Sequence, residues 1–282
     1  MSKSTDEKSA RKYWWIIMTL PIGLVVGSIT SVVHHLRQNE EKESQKEFQV
    51  AVALNADDIE SAMTLSLLIG KRNITTEMGR NNIQAVNRFI QGAVSPGGIG
   101  LQFTGVNITT NGQKKLSLAY TDIEGDKKNE FVVLVIELIG EKGKSDAAKI
   151  GLSPSLIRSL AGDKPLYSLR FVLSPETLSA SQHAQSLRKH TLSSRKQILH
   201  KVIVLKEQDV VNITDPNDWK ISAASPTQHA SKSEQSSIEI THPILLMEDT
   251  NEISPEFSKA TLKATDQLRL LLLKFASTKD KG

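Results

Sequence analysis

The stretch Phe131-Val132-Val133-Leu134-Val135-Ile136-Glu137-Leu138-Ile139 decides the fold. Eight of its nine residues are apolar, five of them β-branched, and the run does not alternate with polar residues. A continuous apolar run of that length marks a strand covered on both faces. Downstream, Leu152, Leu156, Ile157 and Leu160 make the inward stripe of a helix over Ser153 to Ala161. Leu166 to Leu173 reads as a second strand, Thr177 to Arg188 as a helix, and His200 to Leu205 as a third strand. Strand, helix, strand, helix, strand is the pattern of an α/β sheet with helices on its faces.

Upstream the period changes. Leu101 to Thr109 alternates (LQFTGVNIT), and Gly112 punctuates a hairpin turn into Lys115 to Ile123. Two helices precede it. The first starts at a capping Asn55, carries Asp57 and Asp58 in its first turn and ends at Gly70. The second runs from Glu77 to Ala93, with Ile83, Val86 and Ile90 on one stripe and Ser95-Pro96-Gly97-Gly98 ending it. At the other end, Ser222 to Ser237 reads as a polar loop and Ile238 to Ile240 as a short strand. Ser254-Pro255-Glu256 opens a last helix whose stripe is Phe257, Ala264, Leu268, Leu271 and Phe275. Arg269 and Lys274 and its short apolar run make this a core helix rather than a membrane segment.

Tyr13 to Val33 is a 21-residue stretch without a charge. As a helix it extends about 31 Å, near the thickness of a bilayer's hydrocarbon core. Trp14 and Trp15 suit the headgroup boundary, and the length and lack of a clean cleavage site argue against a signal peptide. Lys3, Lys8, Arg11 and Lys12 lie before it, while Glu40-Glu41-Lys42-Glu43 lies beyond it. The expected organisation is a cytoplasmic tail over 1–12, a single-pass transmembrane helix over 13–33, a stalk over 34–53 and an extracytoplasmic α/β domain over 54–278.

Composition excludes several classes. The net charge of +4 is small and its basic residues are scattered; with seven Phe, three Trp and three Tyr there is no basic, aromatic-lined surface for nucleic acid. With no cysteine there is neither a disulfide framework nor a thiolate metal site. No nucleophile elbow, phosphate loop or dinucleotide fingerprint is present. The sequons at Asn73, Asn107 and Asn212 are read as chance matches.

Several strings, in order, resemble the two-zinc aminopeptidases, the family that includes glutamate carboxypeptidase and the transferrin receptor ectodomain. Ile69-Gly70-Lys71-Arg72-Asn73 is similar to its "iGeRN" entry, Ala85 to Ile90 to its "A-x-x-y-I" helix, and Ser117 to Gly125 to its "N-L-x…x-G" strand. Val132 to Glu137 resembles the strand before its "A-H-x-D" motif, and Ser168-Leu169-Arg170-Phe171-Val172 its "T-L-R-F-V" strand. Glu248-Asp249-Thr250 and the helix after it resemble its "Y-H-x-x-x-D-T" segment. The resemblance spans residues 54 to 276 and implies a three-layer α/β zinc-peptidase-like domain with a central mixed, mostly parallel sheet.

That family holds a water between two Zn²⁺ ions on imidazole and carboxylate ligands, and a carboxylate base takes its proton. Carried across, the first His falls on Glu137 and the nearby Asp on Ile139. The bridging Asp falls on Ala147, with Ala148 for Asn and Gly151 retained. The general base falls on Glu176, the adjacent ligand on Thr177, the next Asp on Leu205 or Lys206, and the last His on Leu245. Only Glu137 and Glu176 keep a carboxylate. The expectation is therefore no catalytic residue, no metal and no cofactor, with Glu137, Ala147, Glu176, Thr177 and Leu245 lining a degenerate cleft. On this reading the chain is a membrane-anchored, catalytically inactive binding or scaffolding domain that takes a peptide or protein partner in the old cleft. The alternative is an active hydrolase with a rebuilt site using His242, Glu137 or Glu176. More plainly, Glu137 pairs with a Lys or Arg or meets solvent, Glu176 is a helix N-terminal carboxylate, and His183, His190 and His200 are scattered surface residues.

Overall fold

A computed structural model describes residues 51–95, 101–110, 114–140, 144–192, 197–206, 220–223, 238–241 and 253–277. All lie in one compact unit, Gln49–Gly282. In chain order they form α1 (Ala56–Ile69), α2 (Glu77–Val94), β1 (Thr104–Thr110), β2 (Lys114–Ile123), β3 (Lys127–Glu137), α3 (Lys144–Leu160), β4 (Tyr167–Ser174), α4 (Ala180–His190), β5 (Ile198–Leu205), β6 (Lys220–Ala223), β7 (Ile238–Thr241) and α5 (Pro255–Ser277).

The expected transmembrane helix, most of the stalk, His242 and Leu245 lie outside the described residues. Among the described residues no helix is long and apolar enough to cross a membrane.

The strands join in one seven-stranded sheet of order β1-β2-β4-β3-β5-β7-β6. β4, β3, β5 and β7 run parallel at its centre. Antiparallel pairs flank them: β1 on β2, β2 on β4, and β6 on β7. As expected, the sheet is mixed with a parallel centre: five of its seven strands, β1, β4, β3, β5 and β7, run in one direction. A hairpin adds two antiparallel strands at one side, and β6, in a segment with no strand pattern of its own, adds one at the other.

The strand alternation of β3 sorts the core into two layers. Val132, Leu134 and Ile136 face a cluster with Ile59 and Met63 of α1, Ile83 and Ile90 of α2, Leu156 of α3 and Leu268 of α5. Val133 and Val135 face the opposite way, against Ala180, Ala184 and Leu187 of α4 and Val204 of β5. The three-layer arrangement thus matches its expectation.

Local chemistry sets the helix ends. Asn55 Oδ1 accepts from the Asp57 N–H at 3.1 Å, and α1 stops at Gly70, whose φ of +82° suits a residue without a Cβ. Ser179 and Gln182 make a reciprocal capping box on α4. Ser254 Oγ accepts from Phe257 N at 3.2 Å at the start of α5. Helix α3 begins nine residues before the expected Ser153. Ala147, Ala148 and Ile150 are fully buried, and this packing carries the helix past the Pro154 within it. Gly151 sits where a Cβ would lie 2.4 Å from Met63 Cγ, so its small size lets α3 approach α1.

Candidate functional site

Strands β3 and β4 are parallel neighbours. The chain leaving β3 enters α3, on one face of the sheet, and the chain leaving β4 enters α4, on the other. Loops that depart to opposite faces from adjacent strands open a crevice at their carboxyl ends, the common ligand position in α/β sheets. Glu137 is the last residue of β3, and Ser174 the last of β4. Leu138 N–H donates to Ser174 O at 2.8 Å across this edge.

Glu137 follows Val133 and Val135 in alternation, so its side chain turns toward α4, where it is 4 % exposed. Its Oε1 is bonded to three groups: Lys206 Nζ at 2.8 Å, His183 Nε2 at 2.9 Å and the Leu178 N–H at 3.0 Å. Burial pushes the Glu137 carboxyl up, but the bonds and charges of His183 and Lys206 outweigh it and hold the group below the usual carboxylate range. The result is an ionised carboxylate inside the fold.

Lys206 follows β5 directly. Its backbone N–H donates to Ile240 O at 2.9 Å, which fixes its root, and its ammonium also donates to Leu178 O at 2.8 Å. Several donors at the start of α4 are bonded within the chain. Ala180 N–H donates to Glu239 Oε1 at 3.3 Å, Ser179 N–H to Gln182 Oε1 at 2.9 Å, and Gln182 N–H to Ser179 Oγ at 3.3 Å.

Of the expected cleft residues, Glu137, Glu176 and Thr177 come together at this edge. Glu176 is half-buried in the β4–α4 loop, its N–H donating to Ser174 Oγ at 3.2 Å, and Thr177 is exposed. Glu176 therefore precedes the helix cap rather than sitting in the first turn. Ala147 does not join them; it is fully buried in the core on the opposite face. The reading of His183 as a surface residue is corrected, because it is 2 % exposed and bound to Glu137. A sequence signal existed: Ala180, His183, Ala184 and Leu187 fall on one helical stripe. His200 is also tied down, with Nε2 2.6 Å from Glu130 Oε2 and its ring stacked on Tyr167 at 4.1 Å.

A second polar cluster lies on the other face of the same edge. Arg72, 1 % exposed, donates from Nε to Leu138 O at 2.6 Å and from a terminal nitrogen to Asp146 Oδ2. Lys149 Nζ donates to Ile139 O at 3.1 Å and lies 3.5 Å from Asp146 Oδ1. Gly140 completes it: Arg72 and Gly140 exchange backbone hydrogen bonds, and a Cβ on Gly140 would fall 2.0 Å from Asp146 Oδ1. This cluster ties the α1–α2 connection to the end of β3.

The zinc ions implied by the resemblance do not fit the residues present. Ala147 and Ile139 have no donor atom to offer. Lys206 brings an ammonium to the one buried carboxylate, and among the described residues no three His, Asp or Glu side chains form a group able to hold a metal. No catalytic step is derived through zinc.

No protein-family model matches the sequence, and no curated protein matches it. Solved structures do share its fold. LapB from Legionella pneumophila aligns with a TM-score of 0.52 at 9% identity, covering 84% of this chain and 75% of that one. The Legionella pneumophila LapA aminopeptidase aligns at 0.50 and 10% identity, covering 86% and 76%. The glutaminyl cyclase of Fimbriiglobus ruber aligns at 0.46 and 10% identity, covering 78% and 97%. The expectation that this chain is not an enzyme is corrected here, since the fold it shares is also that of an aminopeptidase. The chain is a mixed α/β protein of peptidase-like fold.

Proposed function

We propose that this chain binds a peptide or protein partner at the carboxyl edge of its sheet, held at a membrane by residues 13–33 with residues 1–12 in the cytoplasm. One observation carries the binding reading: a buried, ionised Glu137 stands at the switch point between β3 and β4, beside the exposed Thr177. Burying a carboxylate is costly, and a hydrophobic residue would serve packing alone equally well. Its presence at the ligand position of the fold supports a recognition role.

The test is selection of a defined random-peptide library on the full chain in detergent. A selected sequence whose affinity falls at least about tenfold in Glu137→Gln supports the reading, since removing a buried charged partner costs that much or more. Absence of enrichment, or peptides indifferent to Glu137→Gln and to a bulky Thr177→Trp, would overturn it. The peptidase-like fold favours a second reading, hydrolysis of the bound peptide at a rebuilt site. Chelator-sensitive release of amino acids from the selected peptide, lost in Glu137→Gln, would establish that reading.

A further inference from the structure

We propose that Lys206 is a tethered cation: its ammonium fills, from within the chain, a cation position built around Glu137, and thereby decides what the edge accepts. The inference concerns the site of the peptide-binding reading and is tested without any peptide.

The position has the parts of a cation site. Two oxygens from different elements, Glu137 Oε1 on β3 and Leu178 O in the β4–α4 loop, converge on one nitrogen at 2.8 Å each. The carboxylate is buried, and the bonds and charges of His183 and Lys206 are what hold it ionised. No mobile ion is required, because β5 delivers the charge covalently: Lys206 directly follows the strand and its main chain is bonded to β7. His183 bonds to the same oxygen and orients the carboxylate. The backbone N–H groups of Leu178, Ser179, Ala180 and Gln182 at the start of α4 are already bonded within the chain.

Specificity follows from this occupancy. A metal ion or a ligand's own amine can reach Glu137 Oε1 only by expelling Lys206. With Lys206 in place, the ammonium spends two of its three protons on Glu137 and Leu178, and its side chain keeps 19 % exposure. The edge therefore offers a hydrogen-bond donor to a neutral acceptor such as a peptide carbonyl, in place of a carboxylate awaiting a cation.

The experiment uses the full chain in detergent with Lys206→Ala, Lys206→Asp and the Glu137→Gln/Lys206→Ala double variant. Methylammonium should raise the thermal midpoint of Lys206→Ala, while leaving the native chain and the double variant unmoved. Zinc, followed by calorimetry, should bind Lys206→Asp at least about tenfold more tightly than the native chain, because His183, Glu137 and the introduced carboxylate then supply three ligands. Adding Glu137→Gln to Lys206→Asp should abolish that gain. Methylammonium acting alike on all three proteins, or zinc binding the native chain as tightly as Lys206→Asp, would overturn the proposal. A third measurement needs only well-folded protein. Acetylation of Lys206, read by mass spectrometry, should run roughly tenfold faster in Glu137→Gln than in the native chain, as expected for a released ion pair; equal rates would overturn it.

Discussion

Replacing Asp146 by Asn makes a sharp test of the Arg72 cluster. The carboxylate is shared by two cations whose side chains are at most 4 % exposed, Arg72 through Oδ2 and Lys149 at 3.5 Å from Oδ1. The amide keeps the shape but removes the negative charge, so Arg72 loses the carboxylate it is paired with in the interior. Breaking a buried ion pair by removing one partner costs about 3–5 kcal/mol, and Asp146→Asn is expected to lose that much. Urea unfolding followed by far-ultraviolet circular dichroism at pH 7 measures this directly. The reasoning is refuted if Asp146→Asn costs less than about 1 kcal/mol.

Three further outcomes are expected. Gly140→Ala places a methyl 2.0 Å from Asp146 Oδ1, which cannot withdraw without breaking the Arg72 pair; a loss of at least about 2 kcal/mol in urea unfolding is expected, and a neutral result would count against this geometry. Gly151→Ala drives a Cβ to 2.4 Å from Met63 Cγ and 3.1 Å from Ile59 O, so α3 and α1 must part; the flexible Met63 absorbs some of this, giving about 1–3 kcal/mol, and a stabilised variant would contradict the close approach. The Glu137 and Glu130 carboxyls both sit below their ordinary value of 4.5 in the fold. Their contribution is present above pH 4.5 and is lost as pH falls through the folded values, so the thermal midpoint should drop more steeply below pH 4.5 in the native chain than in Glu137→Gln; parallel curves would show that Glu137 does not take part.

The parts of the fold legible in the sequence are those where local chemistry and burial agree. The apolar run of β3, the cap at Asn55 and the Ser254-Pro255 start of α5 all carry their meaning within a few residues. The first nine residues of α3 do not. Asp146 and Lys149 look like surface residues until Arg72, 74 positions upstream, arrives to pair with Asp146. Strand β6 has only four residues, and its register comes from β7 rather than from a pattern of its own. The candidate site divides the same way. Glu137 stood out as a lone charge in an apolar strand, whereas its partners lie 46 and 69 residues away; the stripe of α4 turns His183 inward, but nothing local pairs it or Lys206 with Glu137. The resemblance carried the architecture well because helices and strands tolerate exchange of the side chains at their ends. It carried the ligand positions less well: Ala147 is core, and of the two positions offered for the next Asp, Leu205 is buried and apolar and Lys206 holds the opposite charge.

The packing of α5 on α1 and α3 has a consequence for how the protein is made. Ser258 Oγ bonds to Glu60 at 3.1 Å, and Thr261 meets Met63, contacts that bridge 198 positions of chain. During synthesis α1 leaves the ribosome well before α5, with Ile59 and Met63 on its face. The helix that helps cover that face is translated much later. A nascent chain halted before Pro255 thus displays an uncovered apolar ridge, a natural handle for chaperones or degradative proteases. Quality control can tell copies with α5 docked from those without it by this seam, because a helix made late shields one made early.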